Sequence, residues 1–440
     1  MNQTGSPSRR SFLQRASLAG LGVAFAGPLL EACSSSSSSS TSPATAASPN
    51  SSKNAATGQG LLISAPTNDN VYWNEWSGGG KAAAAVFGMK QTYDVFNGDE
   101  ATQIAEFNNM AVLGNKGVYT IANNSASSPQ LMGICQSSKV YGVNTWSNQP
   151  WSTPLDIGQY FLQYYEVPNQ LGFDALCTFL FQKMGGKGKV IHISGTPSNL
   201  ASAYRDLGVQ DALKKFPNIQ VVAKEYGGFS RVTTAPVIEN LLTAHPDVQA
   251  VICQNDDSAM GALPALQKSG SKAYVTGADG IPEFLDAIAS GTGLATMAHS
   301  GPWLGGACTA RIFDALNGVT LNPLERMATF EAFIVNTGAA AQAYKKLVYG
   351  TSGYPFDFAK MSRFLHPNDW DMQSTIKMIQ PNVFWSAFES QKPSGYQLPA
   401  PYRSATSADY AQLEAMYESH HHSDPFAAVK KLNNPILVVG

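Results

Sequence analysis

The sequence predicts an α/β protein of doubly wound parallel sheets, arranged as two similar lobes and followed by an aromatic-rich C-terminal extension. Three observations carry this. Short apolar runs alternate with helix-period segments from residue 61 onward, as β-then-α units of a parallel sheet do. The series restarts near Leu171 with the same rhythm, which implies a second lobe. Several strands stop on a polar residue, among them Asn144, Asn255 and Asp279, at the sheet edge where small ligands bind.

In the first series, 61–64 reads as a strand and 67–76 as a loop carrying Asn68, Asp69, Asn70, Tyr72, Trp73 and Trp76. A small-residue helix is expected over 80–88 and a strand over 91–96. The turn Asn97–Gly98–Asp99 then opens a helix over 101–113. Strands follow at 117–121 and 140–143. Asn144 ends the latter, with Trp146 and Trp151 beyond it.

In the second series, a helix over 173–184 leads through glycines to a strand at 189–193. A helix runs from Leu200 past Arg205 to Lys215, and a strand at 219–223 precedes the loop from Tyr226 to Arg231. After a helix over 236–244, Val248, Ala250, Val251, Ile252 and Cys253 form a strand of the buried type. Asp256 or Asp257 is expected to cap the next helix, which Gly270 ends. A strand over 273–277, a short helix over 283–290 and a strand over 294–298 lead to His299. A helix over 303–316 and a last strand at 330–335 complete the series. Beyond Tyr349 the regularity fades. The density of aromatics there, from Phe356 and Phe358 through Trp370, Trp385 and Tyr402, argues for packing onto the body.

A chain of 440 residues exceeds one ordinary domain, and 44% hydrophobic against 14% charged residues can bury a sizeable core. Its net charge is only −2, and Arg9, Arg10 and Arg15 lie together at the start. No basic stripe remains for nucleic acid, which is excluded as a partner. Residues 1–33 read as an export signal: Arg9–Arg10 ahead of Phe12–Leu13 resembles the twin-arginine signal, and Leu30–Glu31–Ala32–Cys33 resembles a lipoprotein box. Glu31 departs from the usual box. Cys33 would be the acylated residue, and the Ser/Pro/Ala-rich stretch 34–58 a flexible tether from the outer face of the membrane. Cys135, Cys177, Cys253 and Cys308 match no metal spacing and read as core thiols, with a single disulfide left open. His420–His422 with Asp424 reads as a solvated loop rather than a metal site, and no cofactor is expected.

One ordered set of residues carries a family resemblance: Gly186–Lys187–Gly188–Lys189–Val190, Arg205, Phe229–Ser230–Arg231, Gln254–Asn255–Asp256, Gly261, Gly277–Ala278–Asp279–Gly280 and Asn317–Gly318. Their order and intervals, over residues 61–338, resemble the periplasmic sugar-binding proteins of the type I, ribose- and galactose-binding class, which feed ABC importers. The resemblance implies two lobes, 59–165 with 299–330 and 166–298 with 331–348, joined by three crossover strands and closing on a sugar, with 349–440 as an extension. It implies Asn70, Tyr72 and Trp73 as an amide and stacking aromatics, and Arg205 as a fork onto two hydroxyls. Phe229 would face the sugar ring, Asn255 and Asp279 would fix further hydroxyls, and His299 stands where a glutamine is common. Asn144 stands where many members have Asp followed by Arg; here the run is Asn144–Thr145–Trp146. That departure argues for a modified sugar or a polyol ahead of ribose.

The expected function is therefore an extracytoplasmic, lipid-anchored, monomeric solute-binding protein that delivers a sugar or polyol to an ABC permease. Two rivals stand beside it. A sensor presenting a sugar-like signal to a membrane receptor would share every one of these residues. A carbohydrate-active enzyme is disfavoured, because the sequence contains no Gly-x-Ser-x-Gly, no His-Glu-x-x-His and no phosphate-cradling loop.

Overall fold

The structure, a computed structural model, describes residues 54–350 and 353–440. The export-signal and anchor readings at Arg9, Arg10 and Cys33, and the tether as far as residue 53, lie outside the described residues. The last part of the expected tether differs from expectation. Ala56 is wholly buried, and the Gly58 N–H donates to the Gly88 carbonyl at 2.7 Å, so 54–58 is packed chain.

In the first lobe, β1 (Gly60–Ala65), α1 (Val71–Val86), β2 (Lys90–Val95), α2 (Glu100–Met110) and β3 (Asn115–Thr120) come first. They are followed by α3 (Ser128–Ser138), β4 (Tyr141–Thr145), the short α4 (Pro154–Ile157) and β5 (Phe161–Glu166). The second lobe opens with α5 (Asn169–Lys183), β6 (Lys187–Ser194), α6 (Leu200–Lys215), β7 (Asn218–Tyr226) and α7 (Arg231–Ala244). It continues through β8 (Ala250–Cys253), α8 (Asp256–Ser269), β9 (Tyr274–Asp279), α9 (Pro282–Ser290) and β10 (Ala295–Ala298). The chain returns to the first lobe with α10 (Gly301–Leu316) and β11 (Met327–Phe330), then to the second with β12 (Ala332–Val335) and α11 (Gly338–Tyr349). Two further strands, β13 (Ile376–Met378) and β14 (Val438–Val439), come from the C-terminal extension.

Each lobe is organised on a seven-stranded sheet, in the orders β13-β11-β5-β4-β3-β1-β2 and β14-β12-β10-β9-β8-β6-β7. The strands are parallel except at the β13 and at the β12 and β14 ends. As far as β12 the chain passes between sheets three times: after β5, after β10 and at Glu331; the extension crosses twice more, to β13 and to β14. The passage at Glu331 corrects the single strand expected over 330–335. Phe330 pairs in one sheet and Ala332 in the other, because the apolar run is continuous while the chain changes partner within two residues. The small residues of α1 also have a reason. A Cβ on Gly79 would sit 2.0 Å from the Pro302 carbonyl oxygen, and one on Gly305 would sit 1.9 Å from that of Trp76, so α1 and α10 meet backbone to backbone.

The extension runs over both lobes. Trp385 is wholly buried, and Trp370, Tyr402, Tyr417 and Phe426 are nearly so. Buried charges of α10 find their partners in it: Asp314 accepts from the Ser362 hydroxyl at 2.5 Å and the Arg363 N–H at 2.9 Å, and Arg311 donates to the Tyr417 hydroxyl at 2.9 Å. One turn joins the lobes: the Trp151 indole of the first donates to the Phe388 carbonyl at 2.8 Å, and the Tyr204 hydroxyl of the second to the Phe384 carbonyl at 2.7 Å. Cys135, Cys177, Cys253 and Cys308 are free and buried, so the disulfide left open by the sequence is not formed.

Candidate functional site

The carboxyl ends of the parallel strands of both lobes face one cleft of about 640 Å³, well inside the range of small-molecule sites. Seven non-glycine residues among those described have positive φ, and three of them, Trp146 (52°), Phe229 (56°) and Asp279 (119°), line this cleft. Backbone held in such sparsely populated regions concentrates at ligand sites.

On the first-lobe side, Asn70 is the N-cap of α1, its side-chain oxygen accepting from the Tyr72 N–H at 2.8 Å. The segment expected as a loop over 67–76 is therefore helical from Val71, and Tyr72, Trp73 and Trp76 project from one helix. Cap residues and small glycines obscure its start in the sequence. Trp73 meets Tyr72 at 5.5 Å and Trp146 at 5.0 Å between ring centroids, edge to face in both cases. Trp146 belongs to this wall although it is not among the residues expected in the site. Its position two residues past the strand-ending Asn144 is the available signal.

Asn144 does not line the cleft, which corrects the expectation that it meets the ligand. It is wholly buried. Its carbonyl oxygen accepts from the Ala122 N–H at 3.2 Å, and its amide donates to the Ser147 carbonyl at 2.8 Å. The residue ties the ends of β3 and β4 together, and it is engaged on both sides.

The second-lobe side carries the charge. Arg205 on α6 is 4% exposed; its Nε donates to Asn169 Oδ1 at 2.7 Å and its Nη1 to the Gln254 carbonyl. Gln254 is held in turn by the Gly195 N–H and the Ser202 hydroxyl, each 2.7 Å from its Oε1. The guanidinium lies 5.6 Å from the centre of the Phe229 ring, within cation–π range. The Phe229 ring sits against Gly195, where a Cβ would come within 2.0 Å of it. Gly195→Ala is accordingly expected to displace Phe229 and weaken ligand binding, which titration calorimetry of that variant would measure.

Asn255 and His299 lie just past β8 and β10, and Asp279 ends β9 between them. Asn255 is the N-cap of α8: its Oδ1 accepts from the Ser258 N–H at 2.9 Å and its Nδ2 donates to the Phe229 carbonyl at 3.1 Å. This corrects the expectation that Asp256 or Asp257 caps the helix. Asp256 instead accepts from the N–H groups of Gly280 and Ile281, at 2.7 and 2.9 Å, and from the Thr296 hydroxyl at 2.7 Å. It thereby holds the turn that presents Asp279. Asp257 accepts from Arg231 Nε at 2.6 Å at the rim.

His299 Nδ1 is 2.9 Å from the Tyr72 hydroxyl, and its Nε2 lies 3.3 Å from Asp279 Oδ1 without hydrogen-bond geometry. Burial, with Arg205 nearby, holds His299 well below its usual range, and burial with Asp279 nearby raises the Tyr72 hydroxyl. Tyr72 and His299 thus share one hydrogen bond, the imidazole tautomer setting which of them donates. Burial raises the Asp279 carboxyl, and Arg205 opposes that rise. Of the residues expected in the site, Asn70, Tyr72, Trp73, Arg205, Phe229, Asn255, Asp279 and His299 all line the cleft, joined by Trp146. The mouth is closed at one edge, where the Leu200 N–H of the second lobe donates to the Ser125 hydroxyl of the first at 2.9 Å.

Residues 61–319 match the model of a family described as "Periplasmic binding protein domain". A curated relative, the ribose import binding protein of Bacillus subtilis (strain 168), is 35% identical over 150 residues, or 34% of this chain and 48% of that protein. The alignment thus spans about half of that relative's length. Among solved structures, a twin-arginine translocation pathway signal protein from Burkholderia phytofirmans superposes with a TM-score of 0.62 at 25% identity, covering 67% of this chain and 96% of that one. The Caulobacter myo-inositol binding protein bound to myo-inositol superposes with a TM-score of 0.58 at 21% identity, over 67% and 97%, a likeness of fold. The ribose and myo-inositol relatives are named as binding proteins, not enzymes. With two lobes, three passages between them as far as β12 and a cleft at the strand ends, and with more than half of its length matched, the chain belongs to the periplasmic binding protein domain family.

Proposed function

We propose that the chain captures a sugar or polyol in the inter-lobe cleft and delivers it to the permease of an ABC importer, as a monomer anchored outside the membrane through Cys33. The observation that carries the reading is the composition of the cleft: a buried cation, Arg205, and a buried carboxylate, Asp279, beside the mutually paired Arg231 and Asp257, among amides and aromatic rings. Hydroxyls both accept and donate, so a polyhydroxylated neutral ligand satisfies the two together. A phosphate would meet Asp279, and a cation would meet Arg205. The ribose and myo-inositol named for the two relatives belong to the same chemical class.

The test is a thermal-shift screen of the mature protein against sugars and polyols, followed by small-angle scattering. A ligand that raises the melting temperature should also shift the population toward the closed arrangement and reduce the radius of gyration. Saturable binding with an unchanged radius would remove closure from the reading, and binding only of sugar phosphates would overturn it. For the anchor, Cys33→Ala should move the protein from the membrane fraction to the soluble one. Unchanged fractionation would show that Cys33 does not hold it there. Among the described residues no helix is long and apolar enough to cross a membrane.

A further inference from the structure

The two walls of the cleft differ in kind, and the difference bears on which sugar or polyol fits; the inference therefore rests on the solute-binding reading. Arg205 and Asp279 within the cleft and the Arg231–Asp257 pair at its rim all come from the second lobe. On the first-lobe side, Asp69 lines the cleft but is exposed at its mouth. The interior of that wall is the edge-to-face cluster of Tyr72, Trp73 and Trp146.

The polar groups of this wall are largely engaged. Asn144 has turned away to bind the backbone of Ala122 and Ser147, the Tyr72 hydroxyl is on His299, and Asn70 Oδ1 caps α1. Asn70 Nδ2 remains as an amide donor, with the Thr67 hydroxyl proton and Asn123 Oδ1 elsewhere on the same side. Trp146 follows directly on β4 and lines this wall. Its φ of 52° is unfavourable for a bulky residue. That conformation is held by its N–H donating to the Tyr165 carbonyl at 2.9 Å and by the Tyr164 hydroxyl donating to its carbonyl at 3.1 Å.

We propose that Trp146 determines specificity: the ligand turns a face without free hydroxyls toward the first lobe, being a deoxy sugar or a sugar or cyclitol O-alkylated on that face. A hydroxyl pressed against Trp146 and Trp73 would lose its water and gain no partner, whereas a methyl group would gain contact with both rings. The hydroxyls gather instead at the opposite edge, on Arg205 and Asp279. An apolar wall discriminates against an added hydroxyl by roughly 10–100-fold.

The test is calorimetry of the mature chain with matched pairs: L-fucose and L-galactose, L-rhamnose and L-mannose, methyl β-D-galactoside and D-galactose, and an O-methyl inositol and myo-inositol. In at least one pair the less hydroxylated member should bind about tenfold or more tightly than its parent. Trp146→Phe should keep that ratio, and Trp146→Asn, which offers an amide, should largely erase it while the parent still binds. If every pair that binds does so with the parent equal or tighter, the inference is overturned and the solute-binding reading stands. Binding of no pair member, with another sugar or polyol bound in the wider screen, likewise overturns the inference and leaves the solute-binding reading standing. The native comparison needs no variant, so an unstable Trp146 substitution leaves the test intact.

Discussion

Arg205→Ala should weaken ligand binding by well over tenfold, and Asp279→Ala should do the same. Both groups are buried in the cleft, so a ligand hydroxyl bridging to either is a contact made out of water. Truncating one partner of a buried, hydrogen-bonded charged contact typically costs about 2–5 kcal/mol, much of it from the group left unpaired. Arg205→Lys should fall short of the native affinity too, since the fork held by Asn169 and the Gln254 carbonyl is specific to a guanidinium. Calorimetry with the best ligand of the screen decides the matter, and native affinity in both alanine variants would defeat the assignment. Asp279 adds a pH dependence. Because burial raises its carboxyl above the ordinary carboxylate range, acidification protonates it earlier than an exposed carboxylate. Affinity should be level where Asp279 is ionised and should fall as pH drops through the raised value. Asp279→Asn, itself weaker, should remove that slope.

Removing the C-terminal extension after Gly350 should abolish cooperative folding or lower the melting temperature steeply. The extension supplies β13 to one sheet and β14 to the other, each pairing antiparallel with an edge. It also buries Met361, Trp370, Trp385, Tyr402, Tyr417 and Phe426. Each large apolar side chain contributes roughly 1.5–3 kcal/mol on burial, so a handful is comparable to the whole net stability of a domain, about 5–15 kcal/mol. Truncation further strips the buried Asp314 of Ser362, Arg363 and Phe364, all of its hydrogen-bond donors, and takes Tyr417 from Arg311 and Arg363 from Glu325. Differential scanning calorimetry of the truncated chain would show the effect. An unchanged melting temperature with unchanged ligand affinity would mean that the extension is an appendage. The turn at Phe384–Phe388, bonded to both Trp151 and Tyr204, makes a second readout available: Tyr204→Phe should leave folding intact while loosening the link between lobes.

Much of the architecture is legible in the chain itself, and the misses have specific causes. The helix from Leu200 to Lys215 and the strands at β6, β8 and β9 follow from apolar runs punctuated by glycine and polar stops. β5 escapes such a reading, because FLQYYE is buried on every residue and carries no period-2 alternation. Its Glu166 is accommodated by hydrogen bonds from the Val167 N–H at 3.1 Å and the Asn169 amide at 2.6 Å. The start of α1 is hidden because Gly78–Gly80 look like loop, whereas in the fold they permit the approach to α10.

Local sequence was enough for the series of β-then-α units, the polar ends of the strands and the residue types a sugar site needs. These depend on periodicity and on local caps, which act over a few residues. Long-range packing decided the rest. It sent Phe330 and Ala332 to different sheets, joined the extension to both lobes, turned Asn144 inward onto Ala122 and brought Trp146 into the cleft. One cause underlies the choice of cleft residues: a strand end places several polar or aromatic side chains within reach of the ligand. Which of them faces it depends on the backbone donors and carbonyls of neighbouring strands, which are distant in sequence and must be satisfied first.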